Sequence, residues 1–208
     1  MNNFLVPLNW FYTKYYGKDP LRFWTEQVAL NLFVQRGGKT IIETGTIREP
    51  DDWGGGNSTM IFGDFAKRMG ATLITVDNES KKIEFSREYT KEYASNIEYV
   101  LSDSVEFLKN YSGQIDLLYL DSLDFPLYPE KEDYEEEIRK SQLHNLNEVK
   151  AAEDKLTSKS IILIDDNDFP AGGKAGLTNL YLESAGWECL IASRQILFIQ
   201  GKYENEKR

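Results

Sequence analysis

Two apolar runs close the chain, residues 187–192 and 195–200, and only Ser193 and Arg194 separate them. Two residues cannot carry a crossover between parallel strands, so these runs must pair as an antiparallel hairpin. Upstream the rhythm differs. Short β-branched runs near residues 40–43, 73–77, 97–101, 115–121 and 160–165 alternate with helix-like stretches, which signals a parallel sheet with crossover helices. The predicted fold class is α/β: five parallel strands plus a C-terminal antiparallel hairpin, with helices on both faces. Helices are expected to begin near Ser58, Ser80, Ser102 and Glu130, the first ending at Gly70, and a last one spans about 175–185 with Gly186 as its stop.

Ahead of the first strand, Asp19-Pro20 offers a capping carboxylate and a proline suited to a first helical position. Leu21, Trp24, Val28 and Leu32 then recur at helical spacing, and Gly37-Gly38 ends the pattern. The 208 residues fit one domain: a helical cap over 1–38, a core over 39–200 and a tail over 201–208 that is expected to be disordered from Tyr203. A net charge of −10 with scattered Lys and Arg argues against nucleic acid as a partner. No apolar run approaches the length of a membrane span, so no membrane partner is expected, and the N-terminus lacks the layout of a secretory signal. A cytoplasmic protein is expected, and a homo-oligomer is compatible with the sequence. The lone Cys189 lies in an apolar run and reads as a buried strand residue.

Chemistry concentrates where strands end. The first leads into Glu43-Thr44-Gly45-Thr46, then an insert over 47–55, then Gly54-Gly55-Gly56-Asn57-Ser58-Thr59 opening a helix. Glycines there admit a ligand to the backbone, and the carboxylate of Glu43 favours a ligand carrying positive charge over a pyrophosphate. Asp77 ends the second strand, where it can accept from both hydroxyls of a ribose. The third ends in Ser102-Asp103, where Asp103 suits either an adenine amine or the first turn of a helix. Asp121 ends the fourth strand, and Asp165-Asp166-Asn167 end the fifth.

In this order, ETG…GNST, TVD, SDS, YLD and IDDND resemble the motifs of class I S-adenosylmethionine-dependent methyltransferases over residues 38–200. The likeness is greatest to the metal-assisted small-molecule O-methyltransferases of the catechol and macrolide-sugar type, although the insert makes the first loop longer than their pattern. The resemblance implies a Rossmann-like methyltransferase fold acting on a hydroxyl of a small-molecule acceptor such as a sugar. It implies S-adenosylmethionine held by Glu43, Gly45, Thr46, Ser58, Asp77, Ser102, Asp103 and Asp121. An NAD(P)-dependent oxidoreductase is the rival enzyme, weakened by the missing G-x-G-x-x-G turn. A non-catalytic S-adenosylmethionine-binding domain is the other alternative.

Three carboxylates at adjacent strand ends repel one another. Two such charges 4 Å apart cost roughly 4 kcal/mol at an effective dielectric near 20, so either a cation sits among them or one carboxyl stays protonated. The expectation is Mg²⁺ or another divalent cation on Asp121, Asp165 and Asp166, with Asn167 as alternate ligand, lowering the pKa of the acceptor hydroxyl. His144, the only histidine, falls in a helical pattern between the fourth and fifth strands. It reads either as the general base or as a residue without a proton-transfer role, and Asp121 is the other candidate for the chemistry. Residues 126–140, rich in Glu, read first as a solvated helix start and second as a lid carrying Phe125, Tyr128 and Tyr134.

Overall fold

Ile41 and Ile42 are neighbours in sequence, both fully buried, yet they belong to separate hydrophobic clusters. The same split recurs at Leu117 and Leu118, at Ile161 and Ile162, and at Leu197 and Phe198. Side chains alternate across a strand, so an unbroken apolar run that feeds two clusters belongs to a sheet covered on both faces. The computed structural model of the chain describes residues 9–51, 53 and 57–200. The expected tail, 201–208, and the glycines at 54–56 lie outside the described residues.

Seven strands form one sheet: β1 (Thr40–Thr44), β2 (Thr72–Asp77), β3 (Ile97–Leu101), β4 (Ile115–Leu120), β5 (Leu156–Ile164), β6 (Trp187–Ala192) and β7 (Ile196–Gln200). Their order is β3-β2-β1-β4-β5-β7-β6. The first five run parallel, and β7 pairs antiparallel with both β5 and β6. This is the expected architecture. The helices are α1 (Asn9–Tyr15), α2 (Phe23–Gln35), α3 (Ser58–Met69), α4 (Ser80–Tyr89), α5 (Ser104–Asn110), α6 (Tyr134–Ala152) and α7 (Gly176–Ser184). Phe11, Phe33, Phe62 and Phe65 bring α1, α2 and α3 onto one face, while Leu108, Val149 and Leu182 bring α5, α6 and α7 onto the other. Among the described residues no helix is long and apolar enough to cross a membrane.

Three boundaries differ from expectation, each for a local reason. Asp19 does accept a hydrogen bond from the Arg22 backbone N at 3.2 Å, but it caps an irregular turn, and regular helix begins only at Phe23. Asp103 stays extended and caps α5 by accepting from Glu106 N at 2.9 Å, so that helix starts at Ser104 rather than Ser102. The acidic stretch after Pro126 stays irregular until Tyr134. Cys189 lies in β6 and is half-buried rather than buried.

Candidate functional site

The sheet changes direction at β1: β2 and β3 lie on one side of it, β4 and β5 on the other. In open α/β sheets a crevice opens at the carboxyl ends of the strands flanking such a switch. Gly45 sits there with φ +83°, and a Cβ on it would stand 2.5 Å from the backbone oxygen of Asp121. Only glycine lets the first loop pass this close to β4. The crevice is a cavity of about 280 Å³ whose lining includes Gly45, Thr46, Ser58 and Asp77 together with Asp121, Asp166, Phe169 and Arg194. A second cavity of about 240 Å³ shares Gly45, Asp77, Lys82 and Ser122 with it and reaches Ser102, Asp103 and His144. The expected nucleoside-side residues and the fourth-strand carboxylate therefore meet in one trough.

Beneath the floor lies a set of buried polar groups. Thr59 and Thr75 hydroxyls each donate to Glu43 Oε2 at 2.7 Å. Among the described residues, Glu43 Oε1, Thr44 Oγ1 and both amide atoms of Asn57 are buried with no hydrogen-bond partner. Unpaired buried polar atoms are expensive, so a cluster of them at a loop fits a ligand with its own charges, as the ammonium and carboxylate of S-adenosylmethionine are. Burial pushes the Glu43 carboxyl up to about 7, against the pull of the hydroxyls around it. A raised folded-state pKa means the folded chain holds this proton more tightly than the unfolded one. The associated stability is full below about pH 4.5 and is lost as pH rises through about 7. Glu43→Gln removes this loss, so between pH 5 and 7.5 its urea-unfolding free energy should fall less than that of the unaltered chain, by on the order of 3 kcal/mol. Parallel pH profiles for the two proteins would contradict this origin of the shift.

Asp77 accepts from Thr46 N at 3.3 Å and from Glu79 N at 2.9 Å, which fixes its carboxylate at the wall shared by the two cavities. Thr46 also hydrogen-bonds Ser86 Oγ at 2.8 Å, tying the first loop to α4. Asp103 caps α5 and also lines the second cavity.

The carboxylate cluster forms, but its cations come from the chain. Lys174, with its side chain 2% exposed, places Nζ 2.5 Å from Asp121 Oδ1 and 3.1 Å from Asp166 Oδ2. Arg22 Nε lies 2.7 and 3.0 Å from the two oxygens of Asp165, and Arg194 pairs with Asp166 at 3.3 Å. Burial alone would lower the Lys174 pKa, but Asp121, Asp166 and Asp165 together outweigh it and raise it, so the ammonium stays charged. Burial pushes the Asp121 and Asp165 carboxyls up, opposed chiefly by Lys174 and Arg22 respectively. Asn167 faces the β6–β7 turn instead, donating to the Ser193 carbonyl at 3.0 Å. The divalent-cation site expected on Asp121, Asp165, Asp166 and Asn167 is therefore corrected. The residues do not fit it, because Lys174 and Arg22 occupy the ligand oxygens. Among the described residues no group of three or more His, Cys, Asp or Glu is arranged to hold a metal ion. These pairings join residues 53 and 143 positions apart, beyond reach of spacing rules; the local signal was Gly172-Gly173 set before a lysine.

His144 lies on α6, with Nε2 2.9 Å from Ser122 Oγ, 3.1 Å from Ser104 Oγ and 3.5 Å from Glu148. The hydrogen bond to Glu148 raises its pKa. It lines the cavity of Asp103 and Ser102 and is not among the residues lining the one that holds Asp121 and Asp166. Of the expected lid, Phe125 stacks on Phe169 with centroids 5.3 Å apart, and both line the larger cavity with Leu127.

A family model described as "Methyltransferase domain" matches residues 53–167, more than half of the chain. No curated sequence matches significantly. Among solved structures, the chain is similar to the SAH-bound methyltransferase PaMTH1 of Podospora anserina, with 18% identity, a TM-score of 0.57, and coverage of 93% of this chain and 86% of that one. It is also similar to the O-methyltransferase NovP, with 9% identity, a TM-score of 0.60, and coverage of 84% and 77%. The TDP-rhamnose 3'-O-methyltransferase CalS11 aligns with 13% identity, a TM-score of 0.57, and coverage of 96% and 89%. At such identities the structural likenesses speak for the fold.

Proposed function

Since the chain belongs to the methyltransferase domain family, as a class I S-adenosylmethionine-dependent enzyme, we propose that it methylates a hydroxyl of a small molecule, with Asp121 receiving the hydroxyl proton. When bound, S-adenosylmethionine supplies a methyl group on a positively charged sulfur. This chain's residues hold, orient and deprotonate. Gly45, Thr46 and Ser58 border the charged methionine part with Glu43 and Asn57 buried beneath it, Asp77 accepts from the ribose hydroxyls, and Ser102 and Asp103 lie on the adenine side. The acceptor rests against the Phe125–Phe169 wall, whose stacked rings give a flat apolar surface beside the carboxylates.

One observation carries this reading: Asp121 shares a cavity with Gly45, Thr46 and Asp77, so a proton acceptor stands beside the place where the donor is held. Small-molecule O-methyltransferases among the similar structures, NovP and CalS11, support a hydroxylated metabolite as acceptor. His144 receives no proton in this scheme, because its Nε2 is engaged with Ser104 and Ser122 on the nucleoside side. Family membership sets aside the oxidoreductase alternative.

Calorimetric titration with S-adenosylhomocysteine tests the assignment. Asp77→Ala removes a charged acceptor worth roughly 1.5–3 kcal/mol, so affinity should drop about ten- to a hundredfold. A folded Asp77→Ala protein that binds as tightly as the unaltered chain would move the ribose elsewhere. Binding without methyl transfer to any of a broad set of hydroxylated compounds would favour a non-catalytic domain.

A further inference from the structure

Lys174 is delivered to the carboxylates along a strained path. Asp166 and Ala171 take φ values of 54° and 56°, left-handed conformations that residues with a Cβ seldom adopt. Gly173, at φ +55°, passes so close that a Cβ on it would overlap the backbone oxygen of Asp166. Gln142 clamps the turn by donating to the carbonyls of Ala171 at 2.9 Å and Gly173 at 3.0 Å. Strain of this kind persists only where the surroundings over-determine it, and what it achieves here is one ammonium bridging the ends of β4 and β5.

We propose that Lys174 is the built-in cation of the methyl-transfer site, holding Asp121 and Asp166 in place of a divalent metal and excluding one. Lys174 bridges Asp121 and Asp166, Arg22 spans Asp165 and Asp19, and Arg194 spans Asp166 and Asp168, so each strand-end carboxylate already faces a cation of the chain. A divalent ion on the same oxygens would have to sit against an ammonium and displace a two-oxygen arginine contact. Lys174 is 2% exposed and is not among the residues lining the cavity, so it acts through Asp121 as a positioning residue. The inference rests on reading that cavity as the methyl-transfer site.

The test is electron paramagnetic resonance of Mn²⁺ added to the full chain, to Lys174→Ala and to the volume-keeping Lys174→Met. The unaltered chain should leave the spectrum of the free ion unchanged. Lys174→Ala opens space among uncompensated carboxylates and should take up Mn²⁺ at least about tenfold more tightly. Lys174→Met should not take it up, and should lose kcat by about tenfold or more while keeping its affinity for S-adenosylhomocysteine, as expected when only the reacting geometry is disturbed. Turnover of the unaltered chain should be indifferent to EDTA. Mn²⁺ binding by the unaltered chain that Asp121→Asn abolishes, or turnover lost in EDTA and restored by Mg²⁺, overturns the proposal, as does a folded Lys174→Ala that ignores Mn²⁺. Should Lys174→Ala fail to fold, the measurements on the unaltered chain decide. If that chain binds no S-adenosylhomocysteine, the methyl-transfer reading falls, while the Mn²⁺ spectra still decide whether the carboxylates exclude a metal.

Discussion

Arg22→Leu will destabilise the chain by about 3–5 kcal/mol, the range found when one partner of a buried ion pair is removed and the other is left uncompensated. Asp165 is fully buried, and both its oxygens lie within hydrogen-bond reach of Arg22 Nε. Its remaining donors, the Tyr119 hydroxyl at 3.0 Å and the Asp166 backbone N at 2.9 Å, are neutral and cannot cancel its charge. Urea unfolding at neutral pH measures the loss. The double variant Arg22→Leu with Asp165→Leu should recover much of it, because the stranded charge leaves with its partner. A single-variant loss below about 1 kcal/mol, the scale of exposed pairs, would show that water reaches Asp165.

Asp121→Asn should lower methyl transfer by about 10²–10⁴-fold, the usual contribution of a positioned acid or base. The amide keeps the side chain's shape but cannot take a proton from an acceptor hydroxyl near neutral pH. Lys174 retains its contact with Asp166 at 3.1 Å, so the fold around the site should hold. Single-turnover transfer from labelled S-adenosylmethionine to a competent acceptor gives the rate, and S-adenosylhomocysteine titration shows whether the donor site survived. A fall of less than about threefold, far short of general-base magnitudes, would return the proton to His144 or to water.

The inner strands were legible because they are buried on both faces over most of their length and so read as short, largely apolar runs, as at Ile161, Ile162, Leu163 and Ile164. The hairpin followed from a two-residue connection that admits no other pairing. Helix α1 was not legible: Asn9–Tyr15 is short and aromatic, and it is held by packing, Phe11 stacking on Phe23 with centroids 5.3 Å apart. Residues that line the two cavities, Gly45, Asp77, Asp103 and Asp121 among them, could be picked out because strand ends are marked in sequence and the sheet gathers them. The need for positive charge among Asp121, Asp165 and Asp166 could be read as well, from repulsion alone. Its source could not. An arginine ahead of the sheet and a lysine between β5 and β6 meet these carboxylates only through the fold, and nothing in their local sequence names a partner.

The strand order also bears on how the chain is made. β7, the last strand in sequence, inserts between β5 and β6. Until it emerges, the outer edge of β5 is a row of unpaired backbone groups next to Ile161–Ile164, open to pairing with other nascent chains. Arg22 has Asp19 beside it from the start, but its two-oxygen contact with Asp165 lies 143 positions downstream. At synthesis rates of about 5–20 residues per second that contact comes roughly 7–30 seconds later, and until then the site has no floor. The segment from Lys174 to β7 thus completes both the carboxylate cluster and the exposed edge of β5.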